Sequence, residues 1–186
     1  MAEITHFKRE LLDKEEIRRA LLRIAHEILE RNRGTGTLGI LGIRRRGAHL
    51  AARVRDEIAA IENAKVPLGV LDITFYRDDL KTIAHQPVVG TTEIPFDVED
   101  KNLILVDDVL YTGRTVRAAL DEIIDFGRPR SIQLAVLIDR GHRELPIQAD
   151  YIGKHVPTSQ REVIAVQVVE EDGVDRVLLA ERPDAP

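Results

Sequence analysis

The sequence predicts an α/β domain with a central, mostly parallel sheet flanked by helices. Short apolar segments typical of buried strands alternate with segments whose apolar residues recur at helical spacing. Residues 103–106 are apolar without interruption, as expected for a strand covered on both faces of a parallel sheet. A chain of 186 residues is long enough for one substantial core. We therefore expect residues 1–186 to form a single domain.

The first half of the chain predicts two helices and two strands. An amphipathic helix is expected over residues 13–32, because Asp13 and Glu16 have capping-box spacing and Gly34 follows its last turn. A strand over residues 38–43 and a helix over residues 47–61 make the next unit. A second strand is expected over residues 66–75.

The second half predicts two further strands, over residues 102–106 and 132–138, joined by a helix over residues 115–126. Residues 163–179 alternate in polarity around an acidic turn, which predicts an antiparallel hairpin beside the main sheet. Residues 78–95 are polar and weakly patterned, and loops of that length are commonly lids or disordered segments. The tail at residues 183–186 is expected to fray.

Composition excludes several classes of function. The absence of cysteine excludes disulfides, thiolate nucleophiles and cysteine-ligated zinc. A net charge of -5 and a pI near 5.7 argue against attraction of the whole protein to nucleic acid or anionic membrane, so any nucleic-acid contact needs a local patch. With no signal-like segment or membrane-spanning apolar run, we expect a cytoplasmic location and no membrane partner.

Two adjacent acids, Asp107 and Asp108, follow the apolar strand, and a Thr-Gly-Arg-Thr turn at residues 112–115 then opens a helix. The acids therefore lie at the carboxyl end of a strand, the edge where open α/β sheets bind their ligands. Carboxylates there can accept hydrogen bonds from vicinal hydroxyls or reach hydrated Mg²⁺. Gly113 allows an anion to approach the helix amides. Each residue alone also fits an ordinary solvated turn, but together they predict a site for a phosphorylated sugar.

The segment LILVDDVLYTGRT at residues 103–115 resembles the 5-phosphoribosyl-1-pyrophosphate (PRPP) motif of type I phosphoribosyltransferases. Further segments are AxxRIAHEIxERN, GIxxRGxxLA, DITxYRDDL, DRGHRELPIxADYIGK and VPTS. Together they resemble the bifunctional pyrimidine operon attenuator and uracil phosphoribosyltransferase family. The resemblance implies a type I phosphoribosyltransferase fold with a small hood, and a flexible active-site loop at residues 78–95 that covers the site.

The implied reaction converts uracil and PRPP to UMP and diphosphate with Mg²⁺. The resemblance makes Asp107, Asp108 and Arg46 catalytic, with the acids touching ribose hydroxyls or waters on a metal that PRPP mainly holds. It assigns PRPP and nucleotide binding to Arg45, Arg46, Gly47, Arg77, Asp107, Asp108, Val109, Leu110, Tyr111, Thr112, Gly113, Arg114, Thr115, Asp139 and Arg140.

Several of these assignments have alternatives. The three arginines at residues 44–46 form the arginine turn, which suits either a pyrophosphate loop or a solvated basic turn. Arg45 stands where the family pattern has threonine or serine. Arg77 either contacts the ligand or anchors its loop through an ion pair. Uracil is inferred from the whole-family resemblance, because bases are read largely by backbone groups after the fourth strand. Two other functions of the whole protein stay open: a purine phosphoribosyltransferase and a non-enzymatic, nucleotide-sensing RNA regulator.

The resemblance also implies UMP-dependent binding of pyrimidine-operon leader mRNA, through a basic surface formed when subunits pair as a homodimer or higher oligomer. Basic residues project from the first helix opposite its apolar face, although ion pairs with neighbouring glutamates explain that pattern equally well. Leu22 and Gln148 stand where threonine and arginine are expected, which removes donors. The RNA-binding residues it assigns are Arg18, Arg19, Arg23, His26, Arg31, Arg143 and Lys154.

Overall fold

A computed structural model of the protein describes residues 6–75 and 91–181. A short 3₁₀ helix, Ile73–Phe75, follows the third strand. In chain order the other elements are β1 (His6–Leu12), α1 (Lys14–Asn32), β2 (Leu38–Ile43), α2 (Arg46–Glu62), β3 (Leu68–Leu71), β4 (Asn102–Leu110), α3 (Arg114–Phe126), β5 (Ser131–Asp139), β6 (Tyr151–His155), β7 (Glu162–Gln167), α4 (Val169–Asp172) and β8 (Arg176–Glu181).

The main sheet has five strands in the order β3-β2-β4-β5-β6, and every neighbouring pair is parallel. Alternate residues of β4 enter two separate cores. Ile104 packs with the apolar sides of α1 and α2, whereas Leu105 packs with the apolar side of α3. Helices therefore cover both faces of the sheet, which explains why the middle strands are apolar throughout. The α/β class predicted from the sequence is confirmed.

A second, antiparallel sheet has the order β1-β8-β7. Its inner residues, among them Leu11, Ile164 and Val177, join the core beneath α1. This sheet is the small hood, and β7 and β8 are the hairpin that the sequence predicts. Two details differ from the prediction: β1 completes the sheet, and the turn contains the short helix α4.

Helix α1 begins as its sequence indicates. The Asp13 carboxylate accepts the Glu16 N–H at 2.8 Å, and the Glu16 carboxylate accepts the Asp13 N–H at 2.9 Å. The reciprocal pair satisfies two amides that would otherwise lack a partner. The helix ends at Arg33, which is left-handed with φ 55°. None of the helices in the described ranges is long and apolar enough to cross a membrane.

The predicted strand over residues 66–75 is wrong in length. Pairing stops at Leu71, because the Asp72 carboxylate accepts both the N–H and the hydroxyl of Thr74 and turns the chain into the 3₁₀ helix. Strand β4 is longer than predicted, since β5 pairs with it as far as Leu110. The sequence also gave no prediction of β6. Residues 78–90 of the predicted loop, and the tail, lie outside the described residues.

Candidate active site

A cavity of about 830 Å³ opens at the carboxyl edge of the main sheet. Segments that are distant in sequence meet there, because parallel strands deliver their carboxyl ends to the same edge. Side chains from these segments form the wall: Arg44, Arg45 and Arg46 after β2, Asp72 and Thr74 after β3, Asp107, Asp108 and Val109 in β4, and Thr115 in α3.

The paired acids are held by the backbone of their own strand. The Asp107 carboxylate accepts the Asp108 N–H at 2.9 Å, and the Asp108 carboxylate accepts the Val109 N–H at 2.8 Å. Burial raises the pKa of Asp108 above its ordinary value, an effect that these hydrogen bonds and the charge of Arg46 partly oppose. Two carboxylates of fixed orientation therefore border the cavity.

Gly47 joins α2 closely to β4 beside the cavity. It lies in the first turn of α2, and its backbone packs against Val106 and Asp107 without room for a side chain. This close approach brings the amino end of α2 beside the acids of β4. The arginine turn that precedes α2 therefore faces the same cavity as the acids.

The three arginines of that turn differ in their contacts. Arg44 donates to the Thr91 carbonyl at 2.9 Å, and the peptide bond between Arg44 and Arg45 is cis. Arg45 is exposed at the cavity. Arg46 donates from Nε and Nη2 to the two carboxylate oxygens of Asp172, at 3.0 and 2.7 Å. The turn therefore places positive charge at the cavity that Asp107 and Asp108 also line.

Residues 111–115 run from the end of β4 into the first turn of α3, where Thr115 lines the cavity. Gly113, the N-cap residue of α3, has φ 94°, a left-handed conformation that favours glycine, and a β-carbon there would lie 3.3 Å from the Ile147 side chain. It offers no side chain to cap the first turn, which favours an anion at this position. The Arg114 guanidinium pairs with Glu144 at 2.7 Å.

Residues after β5 hold this loop in place. Arg143 donates to Asp139 at 2.6 Å and to the Tyr111 carbonyl at 2.9 Å. Burial opposes ionisation of Asp139, but the hydrogen bonds from Arg143 and the Gly141 N–H outweigh it and lower its pKa. Arg140 is buried, and its guanidinium stacks on the Tyr111 ring at 4.1 Å.

The structure brings together part of the predicted nucleotide site. Leu110 is a buried strand residue. Residues 111–114 lie between the lining residues Val109 and Thr115 but are not part of the lining themselves, and Asp139 and Arg140 support this segment. Arg77 lies outside the described residues. The predicted residues that line the cavity are Arg45, Arg46, Asp107, Asp108, Val109 and Thr115.

Sequence reasoning missed four polar residues that line the cavity. Asp72 and Thr74 lie in the DITxYRDDL segment, which already contributed to the family resemblance. His49 follows Arg46 by one helical turn, so its position on the same face was readable from the sequence. Glu171 comes from the hood, and nothing in the local sequence indicates its approach to α2.

The residues predicted to bind RNA separate into two groups. Arg18, Arg19, Arg23, His26 and Arg31 are exposed on α1. Some are engaged: Arg23 pairs with Glu27 at 2.7 Å and donates to two β6 carbonyls, and Arg31 pairs with Asp150 at 2.6 Å. Lys154 in β6 donates to the Leu11 carbonyl at 2.9 Å. Arg143 instead lies beneath the loop at Tyr111, with internal partners.

Comparison with known proteins places this site in a family. Residues 8–171 match the family model described as the phosphoribosyl transferase domain. The "Bifunctional protein PyrR" of Pelotomaculum thermopropionicum is 65% identical over 174 residues, covering 94% of this chain and 96% of the relative. The protein of the same name from Thermus thermophilus is 62% identical over 179 residues, covering 96% of this chain and 99% of the relative.

Solved structures show the same fold at low sequence identity. A Bacillus anthracis hypoxanthine-guanine phosphoribosyltransferase has a TM-score of 0.69 at 16% identity, covering 94% of this chain and 98% of its own. The Trypanosoma cruzi hypoxanthine phosphoribosyltransferase has a TM-score of 0.70 at 15% identity, covering 95% and 98%. The type I phosphoribosyltransferase fold is thereby confirmed. The chain belongs to the phosphoribosyl transferase family, among the bifunctional PyrR proteins that its sequence motifs resemble.

Proposed function

We propose that this protein transfers the phosphoribosyl group of PRPP to uracil, forming UMP and diphosphate, and that it also regulates pyrimidine-operon RNA. The observation that carries the enzymatic half is the arrangement around Asp107 and Asp108. Paired acids, an arginine turn and a helix start that suits a phosphate surround one cavity. A sugar that bears phosphates at both ends matches these three features.

The chemistry requires positioning rather than a nucleophile. Departure of diphosphate from the anomeric carbon leaves an oxocarbenium-like ribose, while negative charge grows on the leaving group. Asp107 and Asp108 would accept hydrogen bonds from the ribose hydroxyls, and the turn at Arg46 would bind the diphosphate. The loop from Tyr111 to Thr115 would hold the 5-phosphate. Fixed charges and dipoles of this kind lower a barrier because they need no reorganisation.

The residues present suit a magnesium ion carried by the substrate. Within residues 6–75 and 91–181, no cluster of three or more histidine, aspartate or glutamate side chains is placed to hold a metal ion. Two adjacent carboxylates do border the cavity, and Mg²⁺ commonly keeps its waters and binds one or two carboxylates together with substrate phosphates. Asp107 and Asp108 would contact the hydrated ion. When bound, Mg²⁺ would neutralise charge on the diphosphate.

Turnover with a panel of bases tests the enzymatic proposal. Purified protein with PRPP and Mg²⁺ is offered uracil, hypoxanthine or guanine, and diphosphate release is measured for each. We expect rapid turnover of uracil alone. Turnover of a purine but not uracil would show a purine phosphoribosyltransferase. UMP binding without diphosphate release from any base would show a non-enzymatic regulator.

The proposed RNA role rests on the exposed basic row of α1 and on the bifunctional relatives. Arg19 and His26 are exposed on one side of the helix, and Arg23 between them donates to two carbonyls of β6, the strand that carries Lys154. We infer that subunits pair to form the RNA surface, in the cytoplasm, with UMP favouring the RNA-binding state and PRPP competing for the same site. Affinity for leader RNA is measured with and without UMP over a salt series. The absence of a nucleotide effect, or of preference over unrelated RNA, contradicts this role.

A further inference from the structure

Hydrogen-bonded side-chain pairs join the first turns of α2 to the hood. Arg46, His49 and Arg53 recur at one- and two-turn spacing, so they share one face of α2. Their partners are consecutive acids of α4 in reverse order: Arg46 pairs with Asp172, His49 with Glu171 at 3.0 Å, and Arg53 with Glu170 at 2.6 Å. The hood is therefore attached directly to the helix that begins at the arginine turn.

The pair between Arg46 and Asp172 is bidentate, like the pair between Arg53 and Glu170. Both carboxylate oxygens of Asp172 accept from the edge of the guanidinium that carries Nε and Nη2, which fixes its plane. The carboxylate is itself held, because its Oδ2 also accepts the Val168 N–H at 2.9 Å. Val168 is fully buried in the core beneath the hood. Arg46 is thus held by a rigid support.

This pairing leaves part of Arg46 available to a ligand. Among the residues that the structure describes, every hydrogen bond of the Arg46 side chain goes to Asp172. The Nη1 donors remain for an anion in the cavity that Arg46 lines. A long arginine side chain loses substantial rotamer entropy when it binds, and prior fixation removes that cost from the binding step.

We propose that Asp172 is a positioning residue for PRPP, acting through Arg46. The inference rests on the proposed function, in which the arginine turn binds the diphosphate. Asp172 orients the guanidinium and does not touch the ligand, so its removal weakens diphosphate binding while the uracil site is unchanged. If Asp172 instead blocked Arg46 from the ligand, its removal would strengthen diphosphate binding.

The test compares Asp172→Asn with Glu170→Gln, an acid of the same helix that pairs with Arg53 and not with Arg46. Kinetics give kcat and the KM values of PRPP and uracil, and thermal unfolding gives Tm. We expect Asp172→Asn to raise the KM of PRPP by about tenfold, the size of one charged hydrogen bond, with the KM of uracil unchanged. Glu170→Gln, which removes a pair of the same geometry from Arg53, should leave both KM values unchanged.

Three results would overturn the inference. A lower KM of PRPP in Asp172→Asn would show that Asp172 competes with the ligand. Another contradicting result is an equal rise in the KM of PRPP and the KM of uracil, with a lower Tm in both Asp172→Asn and Glu170→Gln. It would show that these pairs only attach the hood to α2. An unchanged KM of PRPP would show no role. If Asp172→Asn folds poorly, Asp172→Glu is measured instead. It keeps the negative charge but displaces the carboxylate oxygens from Nε and Nη2 of Arg46, and the same increase in the KM of PRPP is expected.

A variant of Arg46 separates this inference from the proposed function. Arg46→Ala should raise the KM of PRPP, and adding Asp172→Asn to it should cause no further change, because Asp172 acts only through Arg46. If Arg46→Ala leaves the KM of PRPP unchanged, the role of Arg46 itself is wrong. If the two effects are additive, Arg46 has its role and the positioning by Asp172 is wrong.

Discussion

Gly47 packs directly on Asp107. A β-carbon at position 47 would lie 2.7 Å from the Val106 carbonyl oxygen and 3.2 Å from Oδ1 of Asp107. The amino end of α2 and the first acid of β4 therefore share one point of contact. The distance between the arginine turn and the acids depends on it, because any side chain at position 47 would push them apart.

Gly47→Ala should accordingly weaken both stability and PRPP binding. We expect a loss of about 1–3 kcal/mol in the free energy of unfolding, typical of overpacking, and a higher KM of PRPP. Denaturant unfolding and steady-state kinetics measure the two effects. Gly36→Ala is the matched control, because nothing lies within 4 Å of a β-carbon there. Equal behaviour of the two variants would contradict the close contact.

The raised pKa of Asp108 should appear in the pH dependence of activity. The carboxylate form accepts hydrogen bonds from the ribose, so activity falls as pH decreases through the pKa. Because burial raises that pKa, the acid limb of kcat/KM for PRPP should lie above the pH at which an ordinary aspartate titrates. Asp108→Asn should lower activity by roughly a hundredfold or more and remove this limb. Persistence of the limb in the variant would assign it elsewhere.

Arg143→Ala should cost about 3 kcal/mol of stability, because it leaves Asp139 buried without its cation. It also removes donors to the carbonyls of Tyr111, Gly141 and Ile147. Chemical denaturation measures this loss. Arg114→Ala removes an exposed pair to the same loop and should cost less than about 1 kcal/mol. If Arg143→Ala lowers RNA affinity without loss of stability, its role is direct contact with RNA.

Arg19→Ala should behave in the opposite way. Arg19 is exposed and has no hydrogen-bonded or ion-paired partner among the residues described, so unfolding should change by less than about 0.5 kcal/mol. RNA affinity should fall, and the slope of log affinity against log salt should decrease by about 1. Arg128→Ala, at an exposed arginine beyond α3, should leave RNA affinity unchanged. An unchanged slope in Arg19→Ala would exclude contact with phosphate.

Glu122→Gln should stabilise the protein increasingly as pH rises. Glu122 is buried in α3, its Oε1 accepts the Thr92 hydroxyl, and its Oε2 has no hydrogen-bond partner among the described residues. Burial raises its pKa, so the folded state favours the protonated form and loses stability once pH exceeds the unfolded pKa. Glutamine avoids that cost, with an expected gain of about 1–3 kcal/mol at neutral pH and less near pH 4. Asp121→Asn, half-exposed on α3, should show no such trend.

The elements that the sequence predicts well are those governed by local rules. The capping box of α1, the strand at β2 and the helix after Gly113 follow from residues close together in the chain. The acid pair at the edge of the sheet was equally readable, because a buried strand must present its end there. Strands β1 and β6 were missed, since their pairing partners are remote and their own patterns are weak.

By itself, then, the sequence determined the α/β class, the two acids, the arginine turn and the family, because each depends on residue type and short spacing. Only the tertiary structure decided which charges meet. It joined Arg46 to Asp172 across 126 positions and placed Arg143 beneath the loop at Tyr111. Long side chains reach partners that chain topology selects, and no local pattern specifies that topology.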